Sequence, residues 1–450
     1  VGSVSAATTY SDLLGETVDF CSTLIRFDTS NFGGGESRGE RQAAEWVAER
    51  LSEVGLAPEL FEAAPGRAST VVRLPGADRE AGGLLVHGHL DVVPAAPADW
   101  NVDPFGGEVR NGAVWGRGAL DMKNMDAMML ALARKCARDG IVPPRDLVLA
   151  FVADEEDTGR YGAAFLAEQH ADLFEGVSTA IGESGGYAMY LPDGARLYPV
   201  ATGERGSAWM NLLARGTAGH GSRPNPDNAV ATLAAAIVRI AGHRWPVQLT
   251  PTVQALLDGL GEHLGVHLDP GDPASLKQVG EAAGLLEATV RNSLNPTMLS
   301  AGYKHNVIPS EATAGVDGRI LPGTDEAFFA KVDELLGPDV SRSFASYSPP
   351  VAAEHRTAEF AAMAAALRAE DPEGLVLPFC MAGGTDAQAF SDLGIACYGF
   401  APGRTAAGFT YSKYVHGVDE HVLIESLDFG VRVLERYLLA PPGAGPAPVS

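Results

Sequence analysis

Apolar residues recur at helical spacing over residues 43–54, at Ala43, Trp46, Val47, Leu51 and Val54, and Gly55 follows as a stop signal. The same spacing predicts a helix over residues 125–136, with Met125, Met128, Met129, Leu132 and Cys136 on one face and Gly140 beyond its end. A last helix is predicted from Leu423, Leu427, Val431, Leu434 and Leu438. Short runs of strand character lie between them, at residues 69–74, 83–86, 147–152, 179–181 and 395–400. The run 147–152 is apolar throughout, as expected of a strand buried on both faces. Helices alternating with such strands predict an α/β sheet, largely parallel.

The middle of the chain follows a different pattern. Strands are predicted at 208–214, 311–320 and 340–345, with helices at 227–240 and 325–336 between them. That β-α-β-α-β order predicts a separate α+β domain inserted into the first, with residues 245–295 as a further insert inside it. The predicted division is 1–200 for the first part of the main domain, 201–349 for the inserted one and 350–450 for the remainder. A length of 450 residues agrees with two domains rather than a single core.

Composition narrows the function classes. The chain is 46% hydrophobic and 20% charged, as in globular proteins. Its net charge of −24, from 57 acidic and 33 basic residues, argues against nucleic acid and anionic membranes as partners. Cys21, Cys136, Cys380 and Cys397 are far apart in apolar contexts, which predicts buried free thiols rather than a zinc ribbon. No run of 18 apolar residues is present, and residues 1–9 lack the apolar stretch of a secretory signal. These features predict a cytoplasmic protein. The Pro/Ala/Gly-rich tail from Pro441 is predicted to be disordered.

The chemistry gathers where predicted strands end. His89 and Asp91 stand in VHGHLDVVP, directly after an apolar run. Asp121, in GRGALDMKN, precedes a helix and is open to a plain N-cap reading. Four consecutive acids, Asp154 to Asp157, close the strand at 147–152; a solvated loop is the bland alternative. Glu183 sits among glycines in IGESGG, and His416 lies in KYVHGVDEHV shortly before the last helix. Taken singly, each is unremarkable. Together, imidazoles and carboxylates at the strand ends of an α/β sheet suit a cation such as zinc, cobalt or manganese. Two such ions sharing a bridging carboxylate would use the set fully, leaving one acid to move a proton.

At this point the chain resembles the co-catalytic metallopeptidases, a family of aminoacylases, acetylornithine deacetylase, succinyl-diaminopimelate desuccinylase, glutamate carboxypeptidase and dipeptidases. The motifs HGHLDVVP, GRGALDMKN, ADEED, IGES, GHGSRP, NVIP, GGTDAQAF and VHGVDE appear in family order from about residue 15 to 440. The resemblance implies a mostly parallel zinc-hydrolase catalytic domain with an inserted α+β lid and dimerisation domain. It implies two zinc ions per subunit, with cobalt or manganese as substitutes. Asp121 would bridge both ions, His89 and Glu183 would complete one site, and Glu156 and His416 the other. Glu155 would be the general base and Asp91 would orient His89. The Asp121–Met122 peptide would be cis. His220 on the lid would stabilise the oxyanion. Asn306, Arg319, Gly384 and Thr385 resemble substrate-binding positions, although a lid salt bridge for Arg319 and a turn for Asn306 are alternatives.

The implied activity is hydrolysis of an amide or peptide bond next to a free carboxylate, of the N-acyl-amino-acid amidohydrolase or carboxypeptidase type. The substrate would be a small molecule or short peptide, and the protein a homodimer through the lid. A glutamate at position 183, where the family's aminopeptidases tend to carry aspartate, favours that type. Alternatives are a dipeptidase, an ester or carbamate hydrolase, and, against the full ligand set, a non-catalytic binding protein. The 245–295 insert and the stretch 402–414, with Arg404, Tyr411 and Lys413, depart from compact members and could shape the substrate site.

Overall fold

The computed structural model describes residues 11–441. The readings of residues 1–9 and of the tail past Pro441 therefore lie outside the described residues. The described chain divides into two compact units, one of residues 11–201, 353–377 and 385–441, the other of residues 202–352 and 378–384.

The first unit is built on a sheet whose strands run Met189–Tyr190, Arg196–Glu204, Ala396–Gly399, Val177–Gly182, Gly83–His89, Leu147–Val152, Arg67–Leu74 and Glu59–Ala64. The central four, from Ala396–Gly399 to Leu147–Val152, are mutually parallel. The flanking strands pair antiparallel. Every residue of Gly83–His89 and Leu147–Val152 is buried, which is why these strands read as apolar runs rather than alternating ones. Helices Asp12–Arg26, Lys123–Asp139 and Ile424–Leu439 pack on one another and share a core with the sheet. Gly140 ends the middle helix in a left-handed conformation, φ 64°. Gly430 stands inside the last helix because a Cβ there would lie 2.3 Å from the Pro402 carbonyl oxygen. A small sheet, Glu108–Arg110, Ala113–Trp115 and His421–Leu423, joins distant parts of the sequence.

The second unit is an antiparallel sheet in the order Ser293–Ala301, Glu311–Ile320, Gly206–Arg215, Val340–Ser348. Ala208, Met210, Leu212 and Ala214 alternate inward against helices Ala229–Gly242 and Asp325–Leu336. This sheet has one strand more than the pattern predicts. Ser293–Ala301 lies at the sheet edge with Met298 and Leu299 exposed, so no inward face marks it in the sequence. Residues 245–292 hold helix Pro251–Leu264, capped by Thr250 with proline in its first turn, and shorter helical turns.

Phe328 centres this unit's core, fully buried and stacked on Trp245 at 4.9 Å between ring centroids. Phe328→Ala should lower the unit's unfolding free energy by about 3–5 kcal/mol in a urea titration. A loss below about 1 kcal/mol would show that the core is not packed as described.

Candidate active site

Three of the parallel strands end in the residues singled out above. His89 closes Gly83–His89, the acids 154–157 follow Leu147–Val152 by one residue, and Glu183 follows Val177–Gly182. Asp121 arrives from the loop before helix Lys123–Asp139, and the Asp121–Met122 peptide is cis. His416 comes from the loop before His421–Leu423. The fold thus brings His89, Asp91, Asp121, Glu155, Glu156, Glu183 and His416 together at the carboxyl ends of the central strands, where open α/β sheets place their sites.

Asp121 lies between the imidazoles. Its Oδ1 is 3.1 Å from His89 Nε2 and its Oδ2 is 3.1 Å from His416 Nε2. Glu156 Oε2 stands 3.2 Å from His416 Nε2, and Glu155 Oε2 stands 3.9 Å from His89 Nε2. Ligand atoms of His89, Asp121 and Glu156 lie within 4.8 Å of one another, as do those of His89, Glu155 and Glu183. His89 Nδ1 is 2.9 Å from the main-chain oxygen of Asp91, which leaves Nε2 facing the cluster. Asp91 therefore holds His89 through its carbonyl. Its carboxylate instead accepts the N–H groups of Glu155 and Glu156, each at 3.1 Å.

The electrostatics are those of a site short of positive charge. Burial raises the carboxyls of Glu155 and Glu183 well above the ordinary range, and the neighbouring carboxylates push the same way, Glu183 on Glu155 and Asp121 on Glu183. Burial raises Glu156 as well. Burial also works to raise Asp121, but hydrogen bonds with His416 and His89 outweigh it and hold that carboxyl well below its usual value. Its bonds to Asp121 and Glu156 push His416 up to about 10. Burial opposes a charge on His89, yet its contact with Asp121 and the charges of Glu155 and Glu183 carry it well above normal. Protonated imidazoles would supply positive charge to these acids. A divalent cation would meet the same demand with deprotonated donors, and an all-oxygen and imidazole set fits zinc, cobalt or manganese.

The remaining predicted residues fall elsewhere. His220 is exposed on the second unit, with Nδ1 at 2.8 Å from Ser222 Oγ. Its strand partner is Val307, so Asn306 lies beside it and accepts the Gly221 N–H through its carbonyl. Arg319 is engaged by Asp317 at 2.9 and 3.2 Å, the salt bridge that the sequence left open. Gly384 also belongs to the second unit. Thr385 accepts the Ala387 N–H in the first, where the adjacent Asp386 adds to the charge that raises Glu155 and Glu183.

Two supports escaped the sequence reading. Behind the acid run, Asp154 adopts a left-handed φ of 71° and its carboxylate accepts from Asn31 at 3.1 Å and Arg67 at 2.6 Å. Arg67 also grips Glu40 at 2.9 and 3.0 Å, and Asn31 reaches the Asp91 carboxylate at 2.9 Å. Glu420 supports the opposite side, through the loop that carries Asp121. No local signal marks Asn31, Glu40 or Arg67. Glu420 lies inside the VHGVDE motif, four residues past His416, and that spacing could have drawn attention to it.

The carboxylate–imidazole cluster at the strand ends of this α/β scaffold is a set of groups able to hold a metal ion. The chain belongs to Peptidase family M20/M25/M40, whose profile matches residues 85–440. It is similar to human N-fatty-acyl-amino acid synthase/hydrolase PM20D1, with 27% identity over 81% of this chain and 75% of that protein. It is likewise similar to aminoacylase-1 of Dictyostelium discoideum, 29% identical over 68% of this chain and 70% of that one. Among solved structures, a metallo-carboxypeptidase of the same family from Sulfolobus solfataricus, Sso-CP2, shares the fold with a TM-score of 0.69. That likeness covers 96% of this chain and 100% of the other at 18% identity. This chain is therefore a hydrolase acting on amide or peptide bonds, as the motifs implied.

Replacing Arg67 should be costly, because it would strand the buried Glu40 and Asp154 carboxylates without a cation. Arg67→Met is expected to lose about 3–5 kcal/mol of unfolding free energy in urea. A variant within about 1 kcal/mol of the parent would contradict the role given to this pair.

Proposed function

We propose that this protein is a two-metal hydrolase that cleaves an amide bond beside a free carboxylate, of the N-acyl-amino-acid amidohydrolase or carboxypeptidase type. The observation that carries the reading is Asp121, whose two oxygens each face a different imidazole while Glu183 and Glu155 flank one side and Glu156 the other. In this reading two zinc ions would be held around Asp121, one with His89 and Glu183 and the other with Glu156 and His416. Bound there, the ions supply Lewis acidity that polarises a carbonyl and acidifies a water.

The chain's own groups do the rest. Glu155 takes the proton of the attacking water and later delivers it to the leaving nitrogen. Burial and the neighbouring Glu183 raise its carboxyl well above the ordinary range, which favours its holding a proton. Asp91 sets the direction of His89 and the turn that carries Glu155 and Glu156. His220 donates to the oxyanion, and Asn306, Gly384 and Thr385 bind the substrate. Arg319, whose Nε and Nη2 are engaged by Asp317, receives the substrate carboxylate. The reading includes a cytoplasmic homodimer through the second unit, whose edge strand exposes Met298 and Leu299.

Glu155→Gln keeps the size of the side chain and removes its basicity. The variant should take up metal like the parent in a dialysis and emission-spectroscopy assay, and lose about 10²–10⁴-fold in kcat. Near-native turnover by Glu155→Gln would show that another group moves the proton.

A further inference from the structure

The loop that ends in Asp121 and the loop that begins at His416 are nearly 300 residues apart in sequence, yet one buried side chain touches the frame of both. The small sheet first brings them side by side. His421 pairs with Trp115, and their rings stack 4.1 Å apart at 17°. Glu420, with no exposed surface, then reaches into the Asp121 loop. One of its oxygens accepts the N–H of Leu120 at 2.7 Å and that of Asp121 at 3.2 Å. The other accepts the N–H of Gly118 at 3.1 Å and Nη1 of Arg117 at 2.7 Å. Nη2 of Arg117 continues to the carbonyl oxygen of His416 at 3.3 Å.

Asp121 is thus held by its own N–H, and His416 by its own C=O, through a single ion pair. His416 also needs holding, since its φ of 58° lies in the left-handed region that side chains other than glycine seldom adopt. A buried ion pair is weak evidence for stability, because a well-packed apolar pair often does as well. Three backbone N–H groups and a guanidinium converging on one carboxylate do something an apolar pair cannot: they fix the position of a backbone. We propose that Glu420, acting through Arg117, is the positioning residue for Asp121 and His416 jointly, and so sets the distance between the bridging carboxylate and the imidazole opposite it. Both oxygens of Glu420 are engaged by main-chain N–H groups and Arg117, so it acts through other residues. This rests on the reading of Asp121 and His416 as metal ligands, and it adds a partner that the motifs did not assign. Loss of such an outer partner typically weakens metal binding about 10- to 100-fold.

The test is a titration of chelator-stripped full-length protein with zinc, and separately with cobalt to read the visible spectrum of the bound ion. Parent, Glu420→Gln, Arg117→Lys and Glu359→Gln are compared at a temperature where circular dichroism shows all four folded. Glu359→Gln is the control, since it disturbs another arginine–glutamate pair, with Arg145, that involves none of the residues read as ligands. The expected result is two ions bound by the parent, a loss of about 10- to 100-fold in affinity and a shifted cobalt spectrum for Glu420→Gln, and parental affinities for Glu359→Gln. If Glu420→Gln does not fold, Arg117→Lys carries the test, because it keeps the charge and loses the fork that joins Glu420 to His416. Parental affinity and spectrum in the folded Glu420 or Arg117 variant would overturn the proposal while leaving the metal reading intact. An equal loss in Glu359→Gln would also overturn it, by making the effect one of general destabilisation. A parent that binds no ion would overturn both.

Discussion

Everything at the strand ends of this protein is arranged around an excess of buried negative charge. Asp121, Glu155, Glu156 and Glu183 converge on His89 and His416, and burial, joined by the neighbouring carboxylates, raises the carboxyls of Glu155, Glu156 and Glu183. Fixing like charges in one place costs free energy unless something positive shares the site. The structure bears that cost with two braces, Asp91 holding the backbone of Glu155 and Glu156, and Glu420 holding that of Asp121. Further out, Arg67 neutralises the carboxylates of Asp154 and Glu40.

This constraint explains features that would otherwise be separate facts. The central strands are parallel and buried on both faces, so their ends form a floor on which side chains from Gly83–His89, Leu147–Val152 and Val177–Gly182 meet. Asp154 and His416 occupy left-handed backbone positions next to that floor, each with hydrogen-bonded partners that hold it there. The acids that count at the site are the few that the sheet forces into contact.

Much of this was legible in the sequence, and physics explains the division. Leu147–Val152 emerges at its predicted bounds because a doubly buried strand has no polar interruption. Glu311–Ile320 and Asp325–Leu336 do so because each presents a clear inward face. Helix Ala358–Glu370 was missed because its abundant alanines make a weak amphipathic pattern. Strand Glu59–Ala64 lies at a sheet edge with few buried positions, and Ser293–Ala301 is almost wholly exposed. At the site, the candidate ligands were legible because they follow apolar runs and match ordered motifs. Their supports were not, because Arg67 meets Asp154 across 87 residues and Glu420 meets Asp121 across 299, so only Glu420, inside a quoted motif, left any local trace.

The most direct test of the central claim is to strip the protein of metal, add zinc back, and follow hydrolysis of N-acyl amino acids beside their carboxyl-amidated counterparts. Cleavage should appear only with metal and should require the free carboxylate. Cleavage by metal-free protein, or equal rates on acid and amide, would contradict it.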